Sequence, residues 1–245
     1  MERSAAYAHL AKWFEYLNDD CDYENWSQYL ILKLKSLIPQ NASGLDVGCG
    51  GGWFTRFFSH NGYVMTGLDV SAEMLDFAQE KGMKEGARGE YILGDITKTK
   101  LPKRFDFVTS INDCLNYIPD TKLDVAIKNI AGALKKGGVF LFDISSERKF
   151  RDKIANTVSV DDRDNVTYFS FNKEETDGVT MDVTLFVKNN NGLFERFDET
   201  HRQFRHSEER IVDSLQKNGF TVLEIEGHLG EDKMLSDRIT FLARR

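Results

Sequence analysis

Between Ser43 and Ile144, short apolar runs alternate with helical patterns, and no other feature of the chain narrows its possible folds as much. The runs SGLDVGC, YVMTGLDV, EYILGDI, FDFVTSI and GGVFLFDI each have about the length of a strand. Between most of them lie stretches such as Ser71 to Glu80 and Lys122 to Leu134, whose apolar residues recur at helical spacing. Apolar strands separated by helices form a parallel sheet covered on both faces. The expected class is α/β, with a doubly wound, mostly parallel sheet.

The flanking segments have a different texture. Ala5 to Leu37 reads as helical: WSQYLILKLKSLI carries apolar residues at three- and four-residue spacing, and Pro39 closes the pattern. After Ile144, the segments NVTYFSFNKE, GVTMDVTLFVKN and GLFERFDETHRQFRH alternate apolar and polar residues and are separated by TDG and NNNG. Such turns make an antiparallel β-meander. The run Asp161-Asp162-Arg163-Asp164 reads as a solvated loop. Ser207 can cap a helix whose first turn carries Glu208 and Glu209 and which Gly219 ends; two strands follow, near 220–228 and 237–243.

The first strand ends in Gly48-Cys49-Gly50-Gly51-Gly52. In open parallel sheets, ligands bind at the carboxyl ends of the strands, where strand order reverses. Gly48 and Gly50 fit the first two positions of the dinucleotide fingerprint G-x-G-x-x-G, but the third falls on Trp53. An indole there is incompatible with the close helix packing that the third glycine permits, which disfavours an NAD-dependent oxidoreductase. No Gly-Lys-Ser/Thr follows, so the phosphate-loop pattern fails as well.

Three acids bear on the ligand. Asp46 sits inside the strand end, Asp69 ends the second strand where an acid chelates ribose hydroxyls, and Asp95 ends the third in LGDI. A ligand with adenine, ribose and an ammonium group but no phosphate fits three carboxylates better than a dinucleotide does, and S-adenosylmethionine is such a compound.

With these residues in order, LDVGCGGG, GLDVS, GDI, FDFVTSINDCLNYI and LKKGGVFLFDI, the chain resembles the class I S-adenosylmethionine-dependent methyltransferases. It is most similar to small bacterial members with a helical N-terminal lid and an inserted β-lobe, among them sugar N-methyltransferases. The resemblance implies a Rossmann-like, doubly wound, seven-stranded sheet with an inserted antiparallel meander. It divides the chain into a lid (1–40), a cofactor-binding core (41–146), a lobe covering the substrate (147–206) and a closing helix with two strands (207–245). It further implies S-adenosylmethionine as cofactor, with S-adenosylhomocysteine as product. Asp46 would lie near the methionine ammonium, directly or through water, Gly48, Gly50 and Gly52 would let the backbone approach, and Asp69 would hold the ribose hydroxyls. Val70 and Met74 would sit beside the adenosine, Asp95 and Ile96 would bracket adenine, and Asn112 would lie beneath the methionine. DYENW resembles the covering segment, so Tyr23 and Trp26 would touch the cofactor, Trp26 serving also as a core anchor. The Tyr-Asp pair common upstream in such lids reads Phe14-Glu15 here.

Enzymes of this kind that methylate base amines often carry Asn/Asp-Pro-Pro-aromatic after the fourth strand; here the position reads Asn112-Asp113-Cys114-Leu115. A formal net charge of −7 also argues against a nucleic-acid partner, whose affinity comes from clustered Lys and Arg. A small-molecule acceptor is therefore expected, with no catalytic residue assigned. A cofactor-binding module without catalysis is the alternative. The 3 cysteines, Cys21, Cys49 and Cys114, form no CxxC pair, so neither a disulfide framework nor a metal site is expected, and Cys49 reads as a small buried filler. Without a signal-type apolar run or a transmembrane stretch, a cytoplasmic location is expected. On the last meander strand, His201 and Arg205 share a face opposite His206, and a lone strand histidine is more often a satisfied surface group than a catalyst.

Overall fold

The computed structural model describes residues 4–245. Seven strands form the central sheet: β1 (Ser43–Val47), β2 (Val64–Asp69), β3 (Gly89–Leu93), β4 (Phe105–Ser110), β5 (Leu134–Ser145), β10 (Thr221–Gly227) and β11 (Arg238–Arg244). Their order is β10-β11-β5-β4-β1-β2-β3, and only β11 runs antiparallel to its neighbours. Strand order reverses between β1 and β4, which puts the glycine turn after β1 at the switch point.

Alternation along the central strands explains why helices cover both faces. Phe140 and Phe142 of β5 point to a core built with α5 (Asp120–Ala133) and α7 (Glu208–Lys217), through Leu123, Ile127, Ile211 and Leu215. Val139 and Leu141 point to the other face, where Trp26, Leu30 and Leu34 of α2 (Tyr23–Lys35) meet Phe54 and Phe58 of α3 (Trp53–His60). Each buried Leu, Ile or Phe in these layers contributes about 1.5–3 kcal/mol. The helix α4 (Ala72–Glu85) begins at Ser71, whose hydroxyl accepts the Met74 N–H at 3.1 Å. Ser207 caps α7 in the same way.

The helical reading of Ala5 to Leu37 requires correction. The segment splits into a 3-10 turn (Leu10–Trp13), the single-turn α1 (Phe14–Leu17) and α2, with Asp22 left-handed at φ 43° between them. Its apolar residues serve two destinations. Leu10, Trp13, Phe14 and Leu17 pack on the inserted lobe, whereas Trp26, Leu30 and Leu34 pack on the central sheet. One straight helix cannot face both.

The lobe follows α6 (Glu147–Lys149) and a π turn over 150–154. Its sheet has four strands in the order β6-β7-β8-β9: β6 (Val158–Arg163), β7 (Val166–Glu175), β8 (Gly178–Lys188) and β9 (Phe194–Phe204). The strand missed in the sequence is β6, where Asp161, Asp162 and Arg163 pair with Tyr168, Thr167 and Val166 rather than forming a solvated loop. An edge strand tolerates such charges because its main chain makes the ladder while its side chains stay in water. No helix among the described residues is long and apolar enough to cross a membrane.

Candidate active site

Residues 48–52 carry β1 into α3 with left-handed backbone at Gly48 (φ 69°), Gly50 (φ 51°) and Gly52 (φ 79°). The first two glycines serve different ends. A Cβ on Gly48 would lie 2.0 Å from Cys114 Sγ, so that position is closed by packing. A Cβ on Gly50 would meet nothing nearer than Met74 Cε at 3.9 Å, so its surroundings are open enough for a ligand to approach the backbone.

The loop is held from three sides. Gly48 and Cys49 donate their N–H groups to Leu68 O, and Gly50 donates to Asp69 Oδ2 at 2.8 Å. The other Asp69 oxygen accepts from Ser71 N at 2.9 Å. Burial raises the Asp69 carboxyl, while these backbone donors pull it down. Arg56, 3% exposed, donates to Gly51 O, to Glu15 at 2.7 Å and to Glu85 at 2.9 Å. Arg56 was not singled out from the sequence, although its place one turn into the helix after the glycines aims it back at the loop. Glu15 of the departing Phe14-Glu15 pair thus acts through Arg56 and does not enter the cradle as a free acid.

Asp46 lies beneath the loop, 1% exposed, with its oxygens accepting from Thr55 Oγ1 at 2.7 Å and Thr109 Oγ1 at 3.0 Å. Burial pushes its carboxyl up to about 6 against the two threonines. So enclosed, it supports the loop from below. Trp26 is likewise 1% exposed, ringed by Phe54, His228 and the Arg238 guanidinium. It is a core anchor. Tyr23 is buried beside Trp53. Its hydroxyl, apart from a contact with the Cys21 thiol, has no hydrogen-bond partner among the described residues.

Around the cradle's rim, Val70 is 69% exposed and Met74 is buried beneath Gly50. Asp95 accepts from Thr97 N at 2.8 Å and Thr97 Oγ1 at 2.7 Å and pairs with Lys98 at 3.1 Å. Burial opposes its ionisation, but these partners carry it below the usual carboxylate range. Ile96 is part of the core, its carbonyl accepting from Asn129 at 2.8 Å.

After β4, Asn112 (φ 68°) and Asp113 (φ 52°) are consecutive left-handed residues. Such backbone costs about 1–3 kcal/mol per residue and persists only where its surroundings over-determine it. Here Asp143 accepts both N–H groups, from Asn112 at 2.9 Å and from Asp113 at 2.6 Å. Arg238 donates to Asn112 Oδ1 at 2.5 Å, and Lys149 donates to Asp113 at 2.5 Å. Buried though it is, Asp113 is held far below the usual carboxylate range by Arg238 and Lys149. These four charged groups come from β5, β11, α6 and the post-β4 turn, and sequence spacing links none of them. Burial also pushes the Cys114 thiol up to about 12 and raises the Cys49 thiol as well, so both stay protonated.

The cover of this edge has a polar seam. Glu199 of β9, wholly buried, accepts the N–H groups of Tyr7, His9 and Leu10. Ser4 N donates to Asp198 O at 2.9 Å, and Asn116 of the post-β4 segment donates to Phe204 O at 2.8 Å. On the lobe's other edge, Arg163 donates to Tyr16 O and Asp19. His201 is 3% exposed and bonded to Glu199, which corrects its reading as a surface group. Arg205 and His206 lie beyond the end of β9; Arg205 pairs with Glu174, and His206 Nε2 faces the Leu115 and Ile118 carbonyls. Thus the open Gly50 backbone, the Asp69 carboxylate beside it and the underused Tyr23 hydroxyl offer a cationic adenosyl compound a backbone seat, an acceptor for hydroxyls and a donor.

Residues 45–138 match a family model described as a methyltransferase domain. A crystal structure of an S-adenosylmethionine-dependent methyltransferase from Clostridium acetobutylicum superposes with a TM-score of 0.86 at 30% identity, covering 95% of each chain. A candidate methyltransferase of Geobacillus sp. (strain WCH70) is 29% identical over 98% of this chain and 99% of its own. The sugar N-methyltransferase KedS8 from Streptoalloteichus shares the fold, with a TM-score of 0.82 at 18% identity over 100% of this chain and 96% of that one.

Proposed function

The chain belongs to the S-adenosylmethionine-dependent methyltransferases, and we propose that it methylates a small molecule held between its N-terminal segment and its lobe. One observation carries this reading: the N-terminal segment, β9 and the post-β4 segment are bonded to one another across the carboxyl edge of the sheet. A cover of that kind over the carboxyl edge suits a metabolite better than a duplex or a folded protein. The acidic balance of the chain points the same way.

The cofactor supplies an electrophilic methyl group on a sulfonium. In this reading Asp69 accepts from the ribose hydroxyls, and Gly48, Gly50 and Gly52 let the backbone approach. Val70 and Met74 flank the adenosine, Asp95 and Ile96 border adenine, and Asn112 lies beneath the methionine. The Tyr23 hydroxyl donates from the covering side. Asp46 and Trp26 work from behind, the first by fixing the loop and the second by fixing α2. In-line positioning in a water-poor site contributes about 7–11 kcal/mol to lowering the barrier.

The test is incubation with methyl-labelled cofactor and cell extract fractionated by size. Label is expected in the metabolite fraction. Label confined to RNA, DNA or protein would overturn the small-molecule assignment, and no transfer to any fraction despite cofactor binding would overturn catalysis.

A further inference from the structure

Behind the edge where the acceptor would lie, four side chains from three separate segments form a continuous polar line. Tyr7 Oη and Tyr117 Oη are 2.7 Å apart. Tyr117 Oη lies 3.4 Å from His201 Nδ1, and His201 Nε2 lies 3.0 Å from Glu199 Oε2. The Tyr7 ring stands edge-on to the His201 imidazole at 4.8 Å.

Three features set this line apart from an ordinary buried network. Tyr7 is left-handed at φ 66°, a strained conformation for a large side chain, and Glu199 holds it there through its N–H. The Tyr7 hydroxyl meets Tyr117, which belongs to the turn that follows β4 at the carboxyl edge of the sheet. Tyr7 and Tyr117 are only half-buried, whereas His201 and Glu199 behind them are sealed.

We propose that this line carries away the proton that the acceptor loses on methylation, and that the acceptor is a hydroxyl or an amine still bearing hydrogen. The proposal rests on the small-molecule reading above. As the acceptor's lone pair bonds the methyl carbon, the carbon–sulfur bond breaks with its electron pair left on sulfur. The acceptor's proton passes to Tyr7 Oη, the Tyr7 proton to Tyr117 Oη, and the Tyr117 proton to His201 Nδ1. The resulting imidazolium keeps its Nε2–H on Glu199, and the proton returns to water when product leaves.

The chemistry of the four groups fits these roles. Burial keeps both phenols protonated, so they conduct and do not act as bases. Imidazole is the side chain that exchanges a proton near neutral pH. Burial opposes ionisation of Glu199, yet the His201 bond and the His9 and Leu10 N–H groups keep it a carboxylate, which fixes the Nε2–H tautomer and leaves Nδ1 to accept. Among the described residues, the other titratable groups around the line include Asp69 and Asp113, which act on Tyr7, Tyr168, which Glu199 acts on, and His9, bonded to Glu199 through its N–H. Tyr7 is the group that meets the acceptor; Tyr117 relays behind it, and His201 and Glu199 are positioning residues.

The experiment has two readouts. In the full chain labelled with 15N-histidine, long-range proton–nitrogen NMR should show His201 protonated on Nε2 and bare on Nδ1 near pH 8, with the Nδ1 resonance moving in Tyr117→Phe. A Nδ1–H tautomer would overturn the line without reference to any acceptor. In transfer from labelled S-adenosylmethionine to the extract fraction that takes up label, His201→Gln should lower kcat about 100-fold. It should leave the acceptor's KM and the cofactor affinity by calorimetry unchanged, a kcat-against-KM split that a merely structural role would not give. Full-rate transfer by His201→Gln to a small molecule would refute the line alone, whereas label found only in macromolecules would refute the small-molecule reading and leave the tautomer result standing.

Discussion

Asp69 Oδ2 accepts the N–H of Gly50 at 2.8 Å, so the end of β2 and the turn after β1 are joined through one carboxylate. Its other oxygen starts α4 through Ser71 N. Replacing Asp69 with Ala removes charge-assisted bonds worth about 1.5–3 kcal/mol to any hydroxyl bound there. The expected outcome is S-adenosylmethionine binding weakened about tenfold or more by calorimetry, with an unchanged circular dichroism spectrum. An unaltered dissociation constant would remove Asp69 from the ribose site.

Gly48 and Gly50 should fail differently when each is changed to Ala. Both pay about 1–2 kcal/mol for a left-handed backbone. At Gly48 the new methyl also strikes Cys114, so a stability loss of roughly 3 kcal/mol is expected in urea unfolding. At Gly50 the methyl has room, so the fold should survive with a small loss while cofactor affinity falls at least tenfold. Equal stability losses at the two positions would contradict the distinction.

Asp46 makes stability depend on pH. Its carboxyl stands at about 6 in the folded chain against an ordinary value of 3.8. Because ionising it is harder when folded, its contribution to stability is greatest below about pH 4 and is lost as pH rises to about 6, by about 3 kcal/mol in all. Asp46→Asn lacks this titration. The wild-type-minus-variant difference in unfolding free energy should therefore fall across that window; a difference constant from pH 4 to 7 would show that the group titrates normally.

Arg56 ties the glycine turn to the N-terminal segment and to the end of α4. Arg56→Met keeps much of the side chain's bulk but strands a carbonyl and two carboxylates, and should cost about 3 kcal/mol. Glu15→Gln keeps one acceptor for Arg56 and should cost less, about 1 kcal/mol. Chemical denaturation gives both values, and the reverse order would mean that Glu15 bears on stability by another route.

What could be read in the sequence was local. The strands of the central sheet, the Ser207 cap and the glycine turn announce themselves within windows of a dozen residues, because periodicity and turn chemistry act at that range. What escaped was long-range. Asp143 meets Asn112 and Arg238 only after the sheet forms, and nothing near Phe142 or Ile239 marks either as part of one cluster. The strand β6 escaped because its stabilisation comes from main-chain pairing with β7, to which the side chains of Asp161 and Asp162 contribute no apolar pattern. His201 escaped because its burial is supplied by Tyr7 and Tyr117, far away in the chain.

Adjacent placement of β5 and β11 has a temporal consequence. The lobe, α7 and β10 are all made before β11 can dock between β5 and β10, whereas the hairpins of the lobe close over turns of a few residues. Loop-closure entropy favours the local pairings first. Protection of β8 and β9 amides in pulse-labelled refolding should thus precede that of β11, and a nascent chain would present its finished lobe before its central sheet is whole.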